Sequence, residues 1–233
     1  MKLKKVKPCD HSCLMCQHVM RDWYDQIDLR KQTIKLKRGE QFIVEGDAVR
    51  GVYFVQSGVV KVHRRWGDKE MIVRFARKGD IVGHRGVSSA SEQSVYPISA
   101  TALEAATLCF VDIDFFLSTL RVNAALTYRL MLFYADELQL SEQKMYNLVQ
   151  KSVKSRLAWS LLSLYSVFGE QSADGYLGIT ISKTDLGGYI GATYETVYRS
   201  LADLVRLNYI RMEGKKIYLT TLDALQQLAN EQV

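Results

Sequence analysis

A chain of 233 residues has room for two domains that each bury a core, and its 48% hydrophobic content with only 2 prolines excludes a disordered polymer. The formal net charge of +6 and the pI near 9.0 favour an anionic partner. No apolar run nears the ~20 residues of a membrane span, and Lys2, Lys4, Lys5 and Lys7 lead into no apolar signal core, so a cytoplasmic protein without a membrane partner is expected.

Residues 1–32 read as an arm with a short helix. Cys9, Cys13 and Cys16 form a C-x3-C-x2-C cluster that holds three of the 4 cysteines in the chain. In a reducing compartment these are expected as thiols or metal ligands, not disulfides. Thiolates this close repel one another unless a cation or cluster shares their charge, so a metal site is the natural reading. Cys109 lies in an apolar strand and, taken alone, reads as a small buried hydrophobe. Four cysteines can complete an iron–sulfur cluster. Zinc on Cys9, Cys13 and Cys16 with His11 or His18 is the competing metal site, and three exposed thiols on a flexible arm are the plain alternative.

Residues 33–112 alternate strand-like runs with glycine turns such as Arg38-Gly39-Glu40, Glu45-Gly46-Asp47 and Lys78-Gly79-Asp80. Short strands at this spacing predict an antiparallel jelly roll, and the segment resembles the double-stranded β-roll of cyclic-nucleotide-binding domains. A nucleotide phosphate needs a buried Arg and the ribose a carboxylate. Here His84 follows Gly83 where that family has Glu, and Gln93-Ser94-Val95 replaces the Arg-Ser pair. Cyclic AMP is therefore not the expected ligand. No nucleophile–base pair, phosphate loop or paired carboxylates stand at useful spacing, so an enzyme is not expected. A cupin-like metal site on dispersed His and Cys is the remote exception, His63 and His84 reading as isolated barrel residues.

Residues 113–150 predict a long helix with two apolar stripes, one for the barrel and one for a second subunit. Met131, Tyr134, Leu138, Ser141, Met145 and Leu148 keep the 3-4 spacing of a coiled-coil seam, which predicts a homodimer. The last domain, residues 151–233, begins with an amphipathic helix over 153–168 carrying Leu157, Leu161, Leu164 and Phe168.

Residues 181–219 then read as helix, turn, helix and a two-stranded wing. Ser182 caps the first helix, with Asp185 as the acidic half of a capping box. Gly191 takes the sharp turn. Thr193 caps the second helix, which buries Val197, Leu201, Leu204 and Val205 and presents Tyr194, Glu195, Tyr198 and Arg199 on its other face. Strands over 209–212 and 217–219 flank a basic tip at Lys215 and Lys216. The expected fold class is α+β: a β-roll, a long dimerisation helix and a winged helix-turn-helix that binds double-stranded DNA.

The run Glu195-Thr196-Val197-Tyr198-Arg199 resembles the E-T-x-x-R recognition signature of the CRP/FNR family of bacterial transcription regulators. The resemblance implies that Glu195 accepts from a cytosine amino group and that Arg199 donates to a guanine and a phosphate, a pairing that base-edge chemistry supports. Tyr198 stands where relatives more often carry a small residue, so the half-site is not expected to copy theirs. Lys183, Arg206, Lys215 and Lys216 are expected at phosphates. The family also implies RNA polymerase as a partner and a two-fold operator, with recognition helices ~34 Å apart. Its oxygen-sensing FNR branch holds a [4Fe-4S] cluster on three N-terminal cysteines and a fourth at the end of the barrel. Cys9, Cys13, Cys16 and Cys109 have that layout with a different spacing inside the trio. The readings therefore rank as iron–sulfur, zinc, then idle thiols; with structural, zinc-binding or idle cysteines, a small organic effector in the β-roll is the signal.

Overall fold

The central strands of the β-roll are apolar on both faces, and the reason lies in what covers each face. In the computed structural model, which describes residues 10–86, 94–169 and 174–231, β3 (Gly51–Ser57) and β8 (Ala106–Asp112) pair antiparallel, with Phe54 opposite Cys109. With side chains alternating at period two, Val52, Phe54, Cys109 and Val111 enter one core cluster, while Val55, Ala106 and Leu108 enter another. The second cluster fills the inside of the roll. The first lies on its outer face, under helices.

The roll consists of two four-stranded sheets. One orders β1 (Gln32–Leu36), β8, β3 and β6 (Ile81–Val82); the other orders β2 (Gln41–Ile43), β7 (Ser99–Ala102), β4 (Val60–Trp66) and β5 (Lys69–Ala76). Gly51 begins β3 where any β-carbon would strike the Val111 carbonyl, so only glycine lets the two strands approach.

The N-terminal residues are not a loose arm where the structure describes them. α1 (Leu14–His18), a 3-10 turn (Arg21–Trp23) and α2 (Tyr24–Arg30) bury Cys13, Met15, Cys16, Val19 and Ile27 in the outer core. Polar contacts anchor them: Leu14 N–H donates to the Gly79 carbonyl (3.1 Å), Trp23 Nε1 to Thr119 Oγ1 (3.1 Å) and Met20 N–H to Asn123 Oδ1 (2.9 Å).

The single helix expected over 113–150 is two. α3 (Ile113–Val122) is capped by Asp112, whose carboxylate accepts from Asp114 N–H at 2.9 Å. Asn123 then leaves helical geometry, and its amide donates back to the Thr119 carbonyl at 2.9 Å. α4 (Ala124–Gln150) follows. Leu126 and Leu130 are buried in the outer core, whereas Met131, Tyr134, Leu138, Met145 and Leu148 are 39–63% exposed and Ser141 is exposed with them.

The chain divides into two compact units, residues 1–64 with 72–136, and residues 65–71 with 137–233. In the second, α5 (Val153–Phe168) packs on α6 (Lys183–Ile190), α7 (Tyr194–Arg206) and α8 (Leu222–Asn230), with β9 (Ile210–Glu213) and β10 (Lys216–Leu219) as the wing. The pattern reading did not include α8, which buries Leu225 and Ala229. The wing strands each run one residue closer to the tip than expected, because Glu213 pairs with Lys216 across a two-residue turn at Gly214. No described helix is long and apolar enough to cross a membrane.

Candidate nucleic-acid interface and cysteine core

Local chemistry sets the helix-turn-helix. Ser182 Oγ accepts from Asp185 N–H (3.0 Å) and donates to the Asp185 carboxylate (2.5 Å), which starts α6. Gly191 ends it in the left-handed region (φ 68°, ψ 48°). Thr193 Oγ1 accepts from Thr196 N–H at 3.3 Å and starts α7. Val197, Leu201 and Leu204 are buried below α7, but Val205, expected beside them, is 39% exposed. Burial of that stripe forces the opposite face outward. Tyr194, Glu195, Tyr198 and Arg199 are all exposed there, and Thr193 is exposed at the start of the helix.

The basic residues do not all converge. Lys183 Nζ lies 5.6 Å from the Tyr198 ring centroid, and the Tyr194 and Tyr198 rings stack at 6.5 Å. A cavity of about 200 Å³ is lined by Lys183 of α6, Tyr194 of α7 and Lys215 of the wing, over Leu186, Leu201 and Ile217. Lys183, Tyr194 and Lys215 thus meet at the N-terminal end of α7. Lys216 lies over the Tyr176 ring at 5.5 Å. Arg206 is at the other end of α7, paired with Asp203 at 3.1 Å, and Asp203 also holds Lys154 at 2.8 Å. Hydrogen bonds and charge from Lys154, then from Arg206, keep the Asp203 carboxyl below the usual range. Arg206 is therefore placed apart from the other expected phosphate contacts.

The second site is the outer core of the β-roll. Cys13, Cys16 and Cys109 are 4%, 1% and 1% exposed within one apolar cluster with Met15, Phe116 and Leu126. The alternative of exposed thiols on the arm is thereby corrected for Cys13 and Cys16, while Cys109 is buried as its apolar strand predicts; Cys9 lies outside the described residues. The donor set suits a thiolate-ligated metal in kind. Among the described residues, however, no three His, Cys, Asp or Glu side chains are placed to hold a metal ion together. Of the zinc set Cys9, Cys13 and Cys16 with His11 or His18, the described members do not by themselves form a metal-holding group, and the His11 ring stacks on Tyr24 at 4.1 Å. Burial, and then the Arg129 charge, push the His18 imidazole down.

The sequence reading missed the anchors of this segment. Asp10 pairs with Lys78 at 2.7 Å, and that hydrogen bond, followed by the Ser12 hydroxyl, lowers its carboxyl to about 2. Tyr24 Oη donates to the Cys16 carbonyl at 3.0 Å. No local pattern marks Asn123 or Thr119 as their partners, since each acts on a residue about a hundred positions away.

Inside the roll, where a carboxylate and an Arg would be needed for a nucleotide, stand His84 and Tyr96. Tyr96 Oη donates to the Gly51 carbonyl at 2.7 Å. His84 is 2% exposed between Phe133 and Tyr134, at ring distances of 5.2 and 5.3 Å, and among the described residues neither ring nitrogen has a hydrogen-bond partner of good geometry. Burial, then the charges of Arg74 and Arg85, push its imidazole well below the ordinary range, with the Ile81 carbonyl opposing weakly. The folded state thus resists the proton that an unfolded His takes up near pH ~6.5. Above that pH both states are neutral and His84 costs nothing in protonation energy. As pH falls below it, only the unfolded chain gains a proton, and stability is lost. A series of urea midpoints from pH 7.5 to 5 should fall less steeply for His84→Phe than for the wild type. Parallel slopes would show that His84 does not titrate in this way.

Two family models match the chain: a cyclic nucleotide-binding domain over residues 33–123 and a Crp-like helix-turn-helix domain over residues 155–228. Electron transport regulator A of Shewanella oneidensis is 28% identical over 211 residues, which cover 89% of this chain and 82% of that protein. The anaerobic regulatory protein of Bacillus subtilis is 27% identical over 229 residues, covering 97% and 93%. The structure of FixK2 from Bradyrhizobium japonicum shares the fold, with a TM-score of 0.76 at 23% identity over 87% of this chain and 99% of that one.

Proposed function

Because this chain belongs to the CRP/FNR family of transcription regulators, with one family domain matched in each half, we propose that it acts in the cytoplasm as a homodimer on a two-fold symmetric operator, under control of its cysteine core. That it is a DNA-binding regulator and not an enzyme follows from the family itself. Glu195 and Arg199 read base edges, and Thr193, Tyr194, Lys183, Lys215 and Lys216 hold the backbone. Lys contacts to phosphate supply sequence-independent affinity, whereas the Glu195–Arg199 pair supplies discrimination. The observation that carries this reading is the exposed polar face of α7, with Lys183 and Lys215 at the same end. The exposed apolar stripe of α4 supports the dimer, since a monomer would leave Met131, Leu138 and Met145 in water.

Control through the cysteines is supported by the burial of Cys13, Cys16 and Cys109 in one cluster and by relatives named for electron transport and anaerobic regulation. Cys9, Cys13, Cys16 and Cys109 would hold an iron–sulfur cluster, which supplies sensitivity to oxygen or redox state. The protein's own part is mechanical. Cys13 and Cys16 share a core with Leu126 and Leu130 of α4, so a change in how residues 10–30 pack reaches the start of the dimer helix.

Two measurements test the two halves separately. In a competition assay, Glu195→Ala should change which base is preferred at one position of each half-site while leaving binding to random DNA intact; unchanged preference would remove Glu195 from recognition. Protein purified without oxygen should contain iron and sulfide, with a broad visible absorbance that bleaches in air. A colourless protein lacking both elements would reject the cluster and leave DNA recognition untouched.

A further inference from the structure

One side chain bonds both the C-terminal end of α4 and the turn of the helix-turn-helix. Arg156, on the first turn of α5, donates from Nε to the Ile190 carbonyl (3.0 Å) and from Nη2 to the Gly191 carbonyl (3.2 Å). Its Nη1 donates to the Lys151 carbonyl (3.0 Å) and the Leu148 carbonyl (3.4 Å). The first pair belongs to the C-terminal end of α6, the second to the C-terminal end of α4. Helix C-termini leave carbonyls without intrahelical partners and carry partial negative charge. A planar guanidinium with five donors can bond two such ends at once, and the three donors of a lysine ammonium at one point cannot.

Two further contacts lie at the same joint. A β-carbon at Gly191 would come within 2.6 Å of Leu148 Cδ2, so α4 packs directly on the turn. Lys144 Nζ of α4 sits 3.8 Å from the Tyr189 ring centroid of α6. Leu148 therefore serves this joint as well as lying on the apolar stripe of α4.

We propose that Arg156 is a positioning residue that sets the orientation of the recognition motif on the end of α4. The inference rests on the reading of this protein as a dimer that binds two half-sites. If α4 pairs with its copy, then α7 inherits its direction from α4 through α6 and its turn, and the clamp determines the distance between the two recognition helices. Arg156 touches no base in this scheme. Its loss changes which half-site spacing is accepted, and leaves the base preference within each half-site as it was.

The full-length wild type is first used to select its preferred duplex from a random DNA library. That duplex is then rebuilt with the half-sites moved one and two base pairs closer or further apart. Binding of wild type, Arg156→Ala and Arg156→Lys is measured on each, with a urea unfolding curve for every protein. The wild type should show a sharp spacing optimum. Arg156→Ala should lose about tenfold to a hundredfold at that optimum, the range for hydrogen bonds to a charged group, and much less at the other spacings, so that its profile is flat. Arg156→Lys should fall between the two. A loss of equal size at every spacing, or an optimum as sharp as that of the wild type, would overturn the proposal. If Arg156→Ala does not fold, the same criteria apply to Arg156→Lys. A wild type that selects a single half-site would remove the dimer reading itself, and the clamp with it.

Discussion

Arg199→Ala is expected to weaken binding to the selected operator by thirtyfold or more, with the protein still folded. Arg199 is exposed on α7 while Val197, Leu201 and Leu204 hold the helix from below, so truncation removes a contact surface and no core. A bidentate Arg–guanine pair contributes about 1–3 kcal/mol of discrimination. In a symmetric dimer the substitution occurs twice, which gives about 2–6 kcal/mol if the half-sites are independent. At about 1.4 kcal/mol per tenfold, that is roughly thirtyfold to twenty-thousandfold. Anisotropy titrations of the selected duplex and of a scrambled one decide the matter. The specific affinity should collapse towards the scrambled value, which itself falls only by the share of one phosphate contact per subunit. A change within threefold on the selected duplex would mean that Arg199 reads no base.

The largest expected effect on stability is Phe54→Ala. Phe54 is fully buried, its ring 6.3 Å from that of Phe116, and it faces Cys109 across the β3–β8 ladder. Replacing a buried Phe by Ala costs about 3–5 kcal/mol, part of it transfer and part the cavity left behind. That cavity opens beside Cys109, so the variant should show two signs together: a lower urea midpoint for the β-roll, and faster labelling of its cysteines by a thiol reagent under native conditions. Phe54→Leu should show both more weakly. A midpoint unchanged within error would place Phe54 outside the cooperative core. Faster labelling at an unchanged midpoint would mean that the thiols are reached by local opening and not through the packing of Phe54.

Much of the recognition module was legible because its determinants are local. Ser182, Gly191 and Thr193 each act within a few residues of their own position, through a hydroxyl on a nearby N–H or a left-handed turn, and the burial stripe of α7 repeats at helical spacing. The same holds for α5, whose observed limits coincide with the predicted run. The wing moved by one residue for an equally local reason that the pattern did not contain: Gly214 allows a two-residue turn, so Glu213 and Lys216 pair instead of lying in the tip.

What the amino-acid order alone determined about this protein is therefore the strand-and-turn character of the roll, the amphipathic α5 and the caps, turn and outward-facing residues of the helix-turn-helix. Three things were decided only in the folded chain. The helix break at Asn123 depends on a carbonyl four residues back together with an N–H from Met20, 103 positions away. Period-two alternation puts Cys109 on one face of β8, but only the packing of α1 and α2 makes that the face shared with Cys13 and Cys16. Arg156 looks in sequence like any helix-surface arginine, and its partners at Ile190 and Gly191 are 34 and 35 positions away. Local rules act through neighbouring dihedrals and side-chain periodicity. A contact between distant segments has no such period, and only the tertiary structure supplies its partner.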